Sequence, residues 1–441
     1  MARTDNLTNF LTDIASAIKE KKGDQTNISA SDFDTEITSF QIGGTGIDWS
    51  EIGYSTEPET VSEAYTLGKS ILTDFNPTYN SKYGYYHTTS LSFSNYPNLV
   101  ILPKLPLTNY APFNGEGLFA GCTSLVEIPS DIDFDALGQG TYSSSSSGAA
   151  DRMFENCRSL SKIPSTMSFA NANGVANRLF YGCEKLESIR LNIPKITFLD
   201  YAFSACKNLE NVEIIDAGEL LQLNYTFQSC KKLQSFSITN APKLWRYEGI
   251  FQYCTSLTET PNLPDSNNGT YKYAFSGCTN LTTCTLDLTN AIDTNSMFQT
   301  CNKLTTFSPG MNLSKVKDMR YMFYGCRSLV TLPELDCDSC VNVQGILDSC
   351  DNLTNIGGFK NLGKAYLTTT SANTSAYRIY LGSELRNLTK QSILNIFNSV
   401  YDIASKGCNV QQIYVPSTLY NQLTSEEIAI ATNKGWSVHS T

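Results

Sequence analysis

Histidine is almost absent from this 441-residue sequence, which contains two, His87 and His439. Nucleophilic catalysis by serine or cysteine needs a positioned histidine base, and neither histidine lies in a recognisable catalytic motif. Glycine-rich phosphate-binding loops are also missing, so we expect no catalytic residue and no cofactor. One enzymatic alternative stays open, because a glycosidase needs only two carboxylates and strand positions offer Glu187, Glu213 and Glu259. A solvated strand face explains these three acids better.

Charged residues are also scarce, at 17% of the chain, and the formal net charge is −10. The sequence has no lysine and arginine cluster of the kind that binds phosphates, which argues against a nucleic-acid partner. No apolar run approaches the ~20 residues of a membrane span, so we expect no membrane insertion. The opening segment, MARTDNLTNF, lacks the basic and then apolar pattern of a secretory signal.

What the sequence has instead is a repeat of about 24 residues built on the motif Phe-x-x-Cys-x-x-Leu. Leucine follows three positions after each of ten cysteines, and phenylalanine precedes nine of them by three; Leu347 takes its place before the last. A degenerate copy with Phe93, Tyr96 and Leu99 opens the array. The ten cysteines are Cys122, Cys157, Cys183, Cys206, Cys230, Cys254, Cys278, Cys301, Cys326 and Cys350.

The residues after each motif leucine alternate between apolar and polar, as in Leu186-x-x-Ile189-x-Leu191. This period of two predicts a short strand with one buried face, and the Phe-x-x-Cys portion fits a helical or turn-like return. A unit of this length with one strand and one return is a leucine-rich-repeat turn, and such turns must stack to bury their apolar faces. We therefore predict an α/β fold with a leucine-rich-repeat solenoid of about eleven turns.

The fourteen cysteines are expected to be reduced and buried, because the repeat assigns the motif cysteines to one narrow interior position. Cys284 stands where other turns have a buried strand residue, so it also belongs to the core. Cys337-x-x-Cys340, with Cys350 nearby, has part of a zinc spacing. No matching second pair follows, so we expect no metal site.

The units AFSGCTNLTTCTL and MFYGCRSLVTL resemble the BspA-like leucine-rich repeats of bacterial surface proteins and of bacteriophage proteins. The resemblance covers residues 91 to 360 and implies a binding or structural scaffold. The segment LTDIASAIKEKKGDQTNISASDFDTEITSF is similar to a short N-terminal module of phage-encoded structural proteins, and EEIAIATNKGW resembles the close of phage leucine-rich-repeat proteins.

We predict four segments: an N-terminal helical anchor or oligomerisation module at 1–42, a linker and N-terminal cap at 43–90, the solenoid at 91–360 and an α/β cap at 361–441. The alternative for residues 1–42 is a helical hairpin folded against the first turn. The interval between Cys122 and Cys157 contains 11 extra residues, including the stretch GQGTYSSSSSGAAD, which predicts a flexible loop. The anchor's apolar stripe consists of Leu7, Phe10, Leu11, Ile14 and Ile18.

Within the C-terminal cap, apolar spacing predicts a helix from about 390 to 405, followed by a strand at VQQIYV. Thr424-x-x-Glu427 is a capping-box pattern and predicts the start of a second helix. A final short strand is predicted at Trp436. This cap would close the open end of the repeat array.

Two features could form a binding surface. The outward positions of the strands carry small polar residues with few charges, and Tyr201, Tyr225, Tyr273 and Tyr321 recur five residues before the motif cysteine. The tyrosines either pack from turn to turn or present an aromatic row to a sugar or protein partner. Tyrosine with serine, threonine and asparagine is typical of adaptable recognition surfaces.

These observations lead to three hypotheses of function. The first is a non-enzymatic bacteriophage fibre or decoration protein, made in the host cytoplasm and carried on the virion. Its N-terminal module would bind other virion proteins, its solenoid would contact a bacterial surface glycan or protein, and the protein would form a homo-oligomer, which the resemblance implies to be a trimer. The second is a bacterial BspA-like surface adhesin, and the third is a tailspike-type polysaccharide depolymerase.

Overall fold

The computed structural model describes residues 77–441 except 82–84, 88–92, 97–98, 104, 139–147, 265–266, 308–310, 366–377 and 409. The predicted anchor at 1–42, including its apolar stripe, lies outside the described residues. Most of the predicted linker and cap at 43–90, and most of the predicted flexible insertion, lie outside them too. These three interpretations stay predictions.

Short strands alternate with turns along the repeat region, and helices occur after it. In chain order the strands are β1 (Thr78–Asn80), β2 (Tyr85–His87), β3 (Phe113–Asn114), β4 (Met167–Ser168), β5 (Gly174–Val175), β6 (Ser188–Asn192), β7 (Ile196–Phe198), β8 (Asn211–Asp216), β9 (Ser235–Ile238), β10 (Gly269–Thr270), β11 (Thr283–Cys284), β12 (Ala291–Asp293), β13 (Thr306–Phe307), β14 (Thr331–Leu332), β15 (Leu335–Asp336), β16 (Asn355–Ile356), β17 (Phe359–Lys360), β18 (Ile379–Tyr380), β19 (Gln411–Val415) and β20 (Trp436–Ser440). The α-helices are α1 (Lys390–Ser399), α2 (Ser417–Tyr420) and α3 (Ser425–Thr432), and single turns of 3-10 helix lie at Leu107–Tyr110, Phe134–Ala136 and Ala404–Lys406.

Two rows of parallel pairing hold successive turns together. The front row follows the motif leucines and contains β6, β8, β9, β11, β13, β14 and β16, joined by isolated bridges. The second row precedes the motif phenylalanines and contains β2, β3, β5, β7, β10 and β12. The alternation predicted for the front row is confirmed, since Ile189 and Leu191 are buried in β6 while Ser188 and Arg190 are exposed.

The fold is a leucine-rich-repeat-type β-solenoid of about 13 turns of about 24 residues. The expectation of about eleven turns was too low. The returns are turns rather than helices. In Cys230's turn, for example, Tyr225 and Ser229 have φ angles of 53° and 63°, in the left-handed region that ends a right-handed helix.

The core contains a ladder of stacked phenylalanine rings. Neighbouring rings lie with centroids 5.4 to 6.1 Å apart and nearly parallel, at interplanar angles of 7° to 27°. Nine motifs and the degenerate copy thus contribute one ring each, and each ring inside the ladder is covered by the rings of the turns before and after it. The ladder consists of Phe93, Phe119, Phe154, Phe180, Phe203, Phe227, Phe251, Phe275, Phe298 and Phe323.

The motif cysteines form a second ladder beside the phenylalanines. All ten are fully buried, and each Sγ donates a hydrogen bond to the carbonyl oxygen of the motif phenylalanine one turn earlier, at 3.0 to 3.3 Å. That carbonyl also accepts the backbone N–H of its own turn's cysteine, as Phe203 does from Cys206 at 3.1 Å. A thiol therefore fits this position because it is small and also links neighbouring turns.

The last turn of the solenoid has no following turn to pair with, and polar side chains of α1 in the C-terminal cap bond to its backbone instead. Ser392 Oγ accepts from the backbone N–H of Ile356 at 3.0 Å, and Asn395 Nδ2 donates to the Ile356 carbonyl at 2.9 Å. Ser399 Oγ accepts from the N–H of Phe359 at 2.8 Å. These contacts satisfy backbone groups that would otherwise be exposed at the end of the solenoid.

The strand predicted at VQQIYV, the final strand at Trp436 and the capping box of Thr424 and Glu427 are confirmed. The helix predicted from about 390 to 405 was too long, since α1 ends at Ser399. Its end is set by Lys434, whose Nζ donates to the carbonyls of Phe397, Asn398 and Val400 at 3.0, 2.6 and 3.2 Å. A cation on the last carbonyls of a helix is a favourable terminus.

Candidate binding surfaces

The front row carries a shallow polar groove across its longest strands. The groove has a volume of about 610 Å³ and lies over β6, β8 and β9, with residues 161–165 at one side. These strands are long enough for each to place two exposed side chains on the solvent side. The exposed polar lining is Ser161, Lys162, Ser165, Ser188, Arg190, Asn211, Glu213, Ser235 and Ser237.

One ion pair crosses the middle of the groove. Arg190 Nε lies 3.1 Å from Glu213 Oε2, and both side chains are about half exposed. Beside it, Ser235 Oγ donates to Asn211 Oδ1 at 2.7 Å. An exposed ion pair of this kind contributes little to stability, on the order of 0–1 kcal/mol, so a ligand can replace it at low cost.

The groove also offers hydroxyl groups that the fold does not use. Ser188 and Ser237 make no side-chain hydrogen bond to any other described residue. Together with the guanidinium and the carboxylate they provide donors and acceptors over adjacent strands, which lie ~4.8 Å apart. The groove can therefore bind a polar, extended ligand.

The carboxylates considered for catalysis do not form an isolated pair. Glu187, Glu213 and Glu259 lie on three different turns, and Glu213 is held by Arg190. The two histidines lie elsewhere, His87 on β2 of the second row and His439 on β20 of the cap. The front groove thus contains hydrogen-bonding groups without a histidine base.

The four tyrosines of the predicted aromatic row are partly buried and occupy left-handed backbone positions, with φ angles of 53° to 57°. Tyr201 and Tyr225 stack at 5.1 Å between centroids, with planes 8° apart. Tyr225 also donates to Glu248 Oε1 at 3.0 Å, and burial, followed by the charge of Glu248, raises the pKa of the Tyr225 phenol. Tyr273 faces Lys272, whose Nζ lies 5.3 Å from the ring centroid.

In the turns that follow Tyr225 and Tyr321, a glycine takes the tyrosine's position, and the tyrosine ring of the preceding turn packs over it. A Cβ on Gly249 would lie 2.3 Å from the Tyr225 ring, and a Cβ on Gly345 would lie 2.4 Å from the Tyr321 ring. Both glycines also have positive φ angles. The tyrosines therefore contact neighbouring turns, and their possible binding role stays a prediction.

A cluster of acids lies on the second row near the insertion. Asp151 is 6% exposed, and one of its carboxylate oxygens has no hydrogen-bond partner among the described residues. Burial, reinforced by the charge of Glu116, raises the pKa of Asp151 to about 7, although Arg152 opposes the shift. The neighbouring Glu155 lies 2.5 Å from Arg152 and 3.6 Å from Arg178.

The cysteines considered as zinc ligands bond to the backbone. Cys337 Sγ donates to the Leu335 carbonyl at 3.5 Å and Cys340 Sγ to the Asn342 carbonyl at 3.4 Å. Within the described ranges, no group of three or more histidine, cysteine or acidic side chains is placed to hold a metal ion. The fourteen cysteines are free, and Cys284 is buried on β11.

Sequence reasoning predicted the polar outward face of the strands but not that it forms a groove over β6, β8 and β9, because the groove depends on strands of unequal length. It also missed the thiol hydrogen bonds and the outer face of the sheet formed by β18, β19 and β20. No helix in the described part of the chain is long and apolar enough to cross a membrane.

The chain is similar to known repeat proteins. Residues 149–258 and 223–334 match the family described as BspA type Leucine rich repeat region, in six copies. No curated protein matches the sequence.

Several solved structures are similar over most of their length. A leucine-rich repeat protein from Bacteroides ovatus is 18% identical, with 83% of this chain and 98% of that chain covered and a TM-score of 0.31. A leucine rich cell surface protein from Faecalibacterium prausnitzii is 15% identical, with 76% and 95% covered and a TM-score of 0.32. The T. pallidum leucine rich repeat protein is 16% identical, with 58% and 88% covered and a TM-score of 0.29. At these values the structural similarities carry no conclusion about function.

The family match falls on the turns that carry the phenylalanine and cysteine ladders, where sequence period and geometry agree. Residues 149–334 therefore resemble a BspA type leucine-rich repeat region.

Proposed function

We propose that this protein is a non-enzymatic binding scaffold of the bacterial BspA-like surface type, and that its front groove binds a polar, extended segment of a surface glycan or protein. The observation that supports this most directly is the polar groove itself. It presents Ser188, Ser237 and the exposed pair of Arg190 and Glu213 on rigid adjacent strands. Binding groups on strands are positioned by the whole array and need little ordering when a ligand arrives.

Blocking the groove tests this proposal. Ser188→Trp with Ser237→Trp fills it from two strands, and both positions are exposed, so the solenoid should keep its unfolding midpoint. We expect this variant to lose binding to bacterial cells or to surface extracts that retain the wild-type protein. Ser383→Trp, at an exposed position in the cap, is the matched control and should bind normally.

Neutralising the central ion pair gives a second, finer test. Arg190→Gln with Glu213→Gln removes both charges without a large change in volume, so binding should weaken while stability stays the same. The control is the exposed pair of Arg327 and Asp351, at 3.8 Å. Equal binding by the two double variants would rule out the front groove as the binding site.

The bacteriophage virion role is a second candidate, and one of the sequence features that favour it lies within the described residues. The segment EEIAIATNKGW, which resembles the close of phage leucine-rich-repeat proteins, forms α3 and the turn into β20. The comparisons with known proteins do not support this role, and the bacterial surface alternative agrees better with the family match. Portal, capsid or tail genes beside the coding gene, and antibody labelling of particles, would favour the virion role.

The depolymerase alternative makes a different prediction. An enzyme would release oligosaccharides from purified capsule, whereas a binding scaffold would retain the polymer unchanged. We expect no release at any pH between 5 and 8. Release that depends on Glu187, Glu213 or Glu259 would contradict the proposed function.

A further inference from the structure

The three-stranded sheet of the C-terminal cap has an outer face that closing the solenoid does not require. Its strands run in the order β18, β19, β20, all parallel. The inner face supplies Ile379, Ile413, Val415 and Trp436 to the core, and all four are fully buried. The outer face carries alternate residues of the same strands, which are exposed or partly exposed.

Aromatic rings form a row across this outer face. Tyr380, Tyr414 and His439 are direct cross-strand partners in the parallel register. The Tyr380 and Tyr414 rings lie 5.8 Å apart, the Tyr414 and His439 rings lie 5.1 Å apart, and Tyr380 is 45% exposed. Three neighbouring strands therefore present one aromatic strip on which the C–H faces of sugar rings could stack.

A guanidinium group lies over the centre of the strip. Arg378 Cζ is 5.4 Å from the centroid of the Tyr414 ring. Among the described residues its Nε has no hydrogen-bond partner, and Arg378 pairs with no carboxylate there. Cross-strand packing alone would explain the rings, but it gives no reason for an unpaired guanidinium beside them.

Polar groups flank the strip on the same face. Gln412 and Ser437 are cross-strand partners. Tyr414 donates to Gln412 Oε1 at 3.4 Å, which leaves the amide N–H groups of Gln412 as donors, and His439 contacts Ser437 Oγ at 3.0 Å. No acidic residue belongs to the described outer face, although the chain as a whole carries a net charge of −10.

We propose that this face, made of Arg378, Tyr380, Gln412, Tyr414, Ser437 and His439, is a second binding site whose ligand is a carboxylated glycan. The local charge favours an anion, and the planar fork of arginine matches a carboxylate. Rigid aromatic rings provide contact area at low entropic cost, and the amide and hydroxyl groups can bond sugar hydroxyls. The site is separate from the front groove and does not depend on it.

The test uses the full chain and a defined uronic-acid oligosaccharide, tetragalacturonate, with its methyl ester as the uncharged control. Calorimetric titration should show binding of the acid and at least roughly tenfold weaker binding of the ester, the expected loss of a charge-assisted hydrogen bond. Arg378→Met and Tyr380→Ala should each weaken binding by a similar factor while the melting temperature is kept. Arg386→Met, at an exposed arginine outside this face, should bind within twofold of wild type.

Several results would overturn the proposal. Equal binding of the acid and the ester would remove the role of the carboxylate, and equal affinity for a poly-glutamate peptide would remove the role of the sugar. Identical behaviour of Arg378→Met and Arg386→Met would exclude the site. Loss of binding in Arg190→Gln with Glu213→Gln would assign the ligand to the front groove, which refutes this inference and leaves the proposed function intact.

Discussion

Replacing Cys230 by alanine should measure how much the thiol ladder contributes to stability. Cys230 is fully buried, and its Sγ donates to the Phe203 carbonyl at 3.1 Å. Alanine deletes the sulfur and leaves a small cavity, a loss of about 0.5–1.5 kcal/mol by analogy with other single-group deletions in cores. The lost S–H bond adds about 0.5 kcal/mol, because Phe203 keeps its bond from the N–H of Cys206. The free energy of unfolding should fall by about 1–2 kcal/mol.

Three substitutions separate the hydrogen bond from the volume. Cys230→Ser keeps a donor in a smaller side chain, Cys230→Val fills the space without a donor, and Cys230→Ala does neither. If the donor matters, serine should be more stable than alanine in urea unfolding. Cys408 lies in the cap and is partly exposed, so Cys408→Ala should change stability by less than about 0.5 kcal/mol.

Two outcomes would refute this reasoning. If Cys230→Ala unfolds at the same urea concentration as wild type, the ladder does not stabilise the array. If Cys230→Val is as stable as wild type while serine and alanine are equally destabilised, the position requires volume and not a hydrogen-bond donor. The burial of the motif cysteines also predicts that they react with thiol reagents only after denaturation, since burial raises their pKa values.

Three further substitutions test other parts of the fold. Leu233→Asp buries a charge in the core and should prevent folding or lower the melting temperature steeply, whereas Gln234→Asp at the next, exposed position should not. The pKa of Asp151, about 7, exceeds the ~3.9 of an unfolded aspartate, so folding favours the protonated acid. The contribution of Asp151 to the free energy of unfolding is therefore fully present below pH ~4 and is lost as pH rises through 7. Asp151→Asn should flatten that decline in calorimetric melting from pH 4 to 8, and an unchanged profile would contradict the assignment. Gly249→Ala should lower the free energy of unfolding by more than the ~1–2 kcal/mol that a left-handed alanine costs, because the new Cβ meets the ring of Tyr225. In the Tyr225→Ala background the ring is absent, so urea unfolding should show a smaller loss for the same substitution.

The parts of the fold that the sequence predicts well are those with local patterns. The repeat of phenylalanine, cysteine and leucine identifies residues that are buried in every turn, and alternation locates β6 and β8. The capping box at Thr424 and Glu427 locates the start of α3, because both partners lie within one helical turn. In each case the pattern that carries the prediction lies within a few neighbouring residues of the sequence.

The parts that sequence reasoning missed depend on residues far apart in sequence. The end of α1 is set by Lys434, which reaches Val400 from 34 positions away. The thiol of Cys230 bonds to a carbonyl 27 residues earlier, a contact that the motif's spacing implies only once the turns are stacked. Without a register between turns, the sequence shows which residues are buried but not which groups they bond.

His439 shows the same limit for a binding site. No recognisable catalytic motif surrounds it in the sequence. It meets Tyr414 only through the pairing of β19 with β20, and Tyr414 meets Tyr380 only through the pairing of β18 with β19. The repeat region, by contrast, uses its regular rings for packing: Tyr225 covers Gly249, and the phenylalanines cover one another. In this protein the phenylalanines that recur at the repeat period stabilise neighbouring turns, whereas the aromatic strip of the cap consists of residues that break the period.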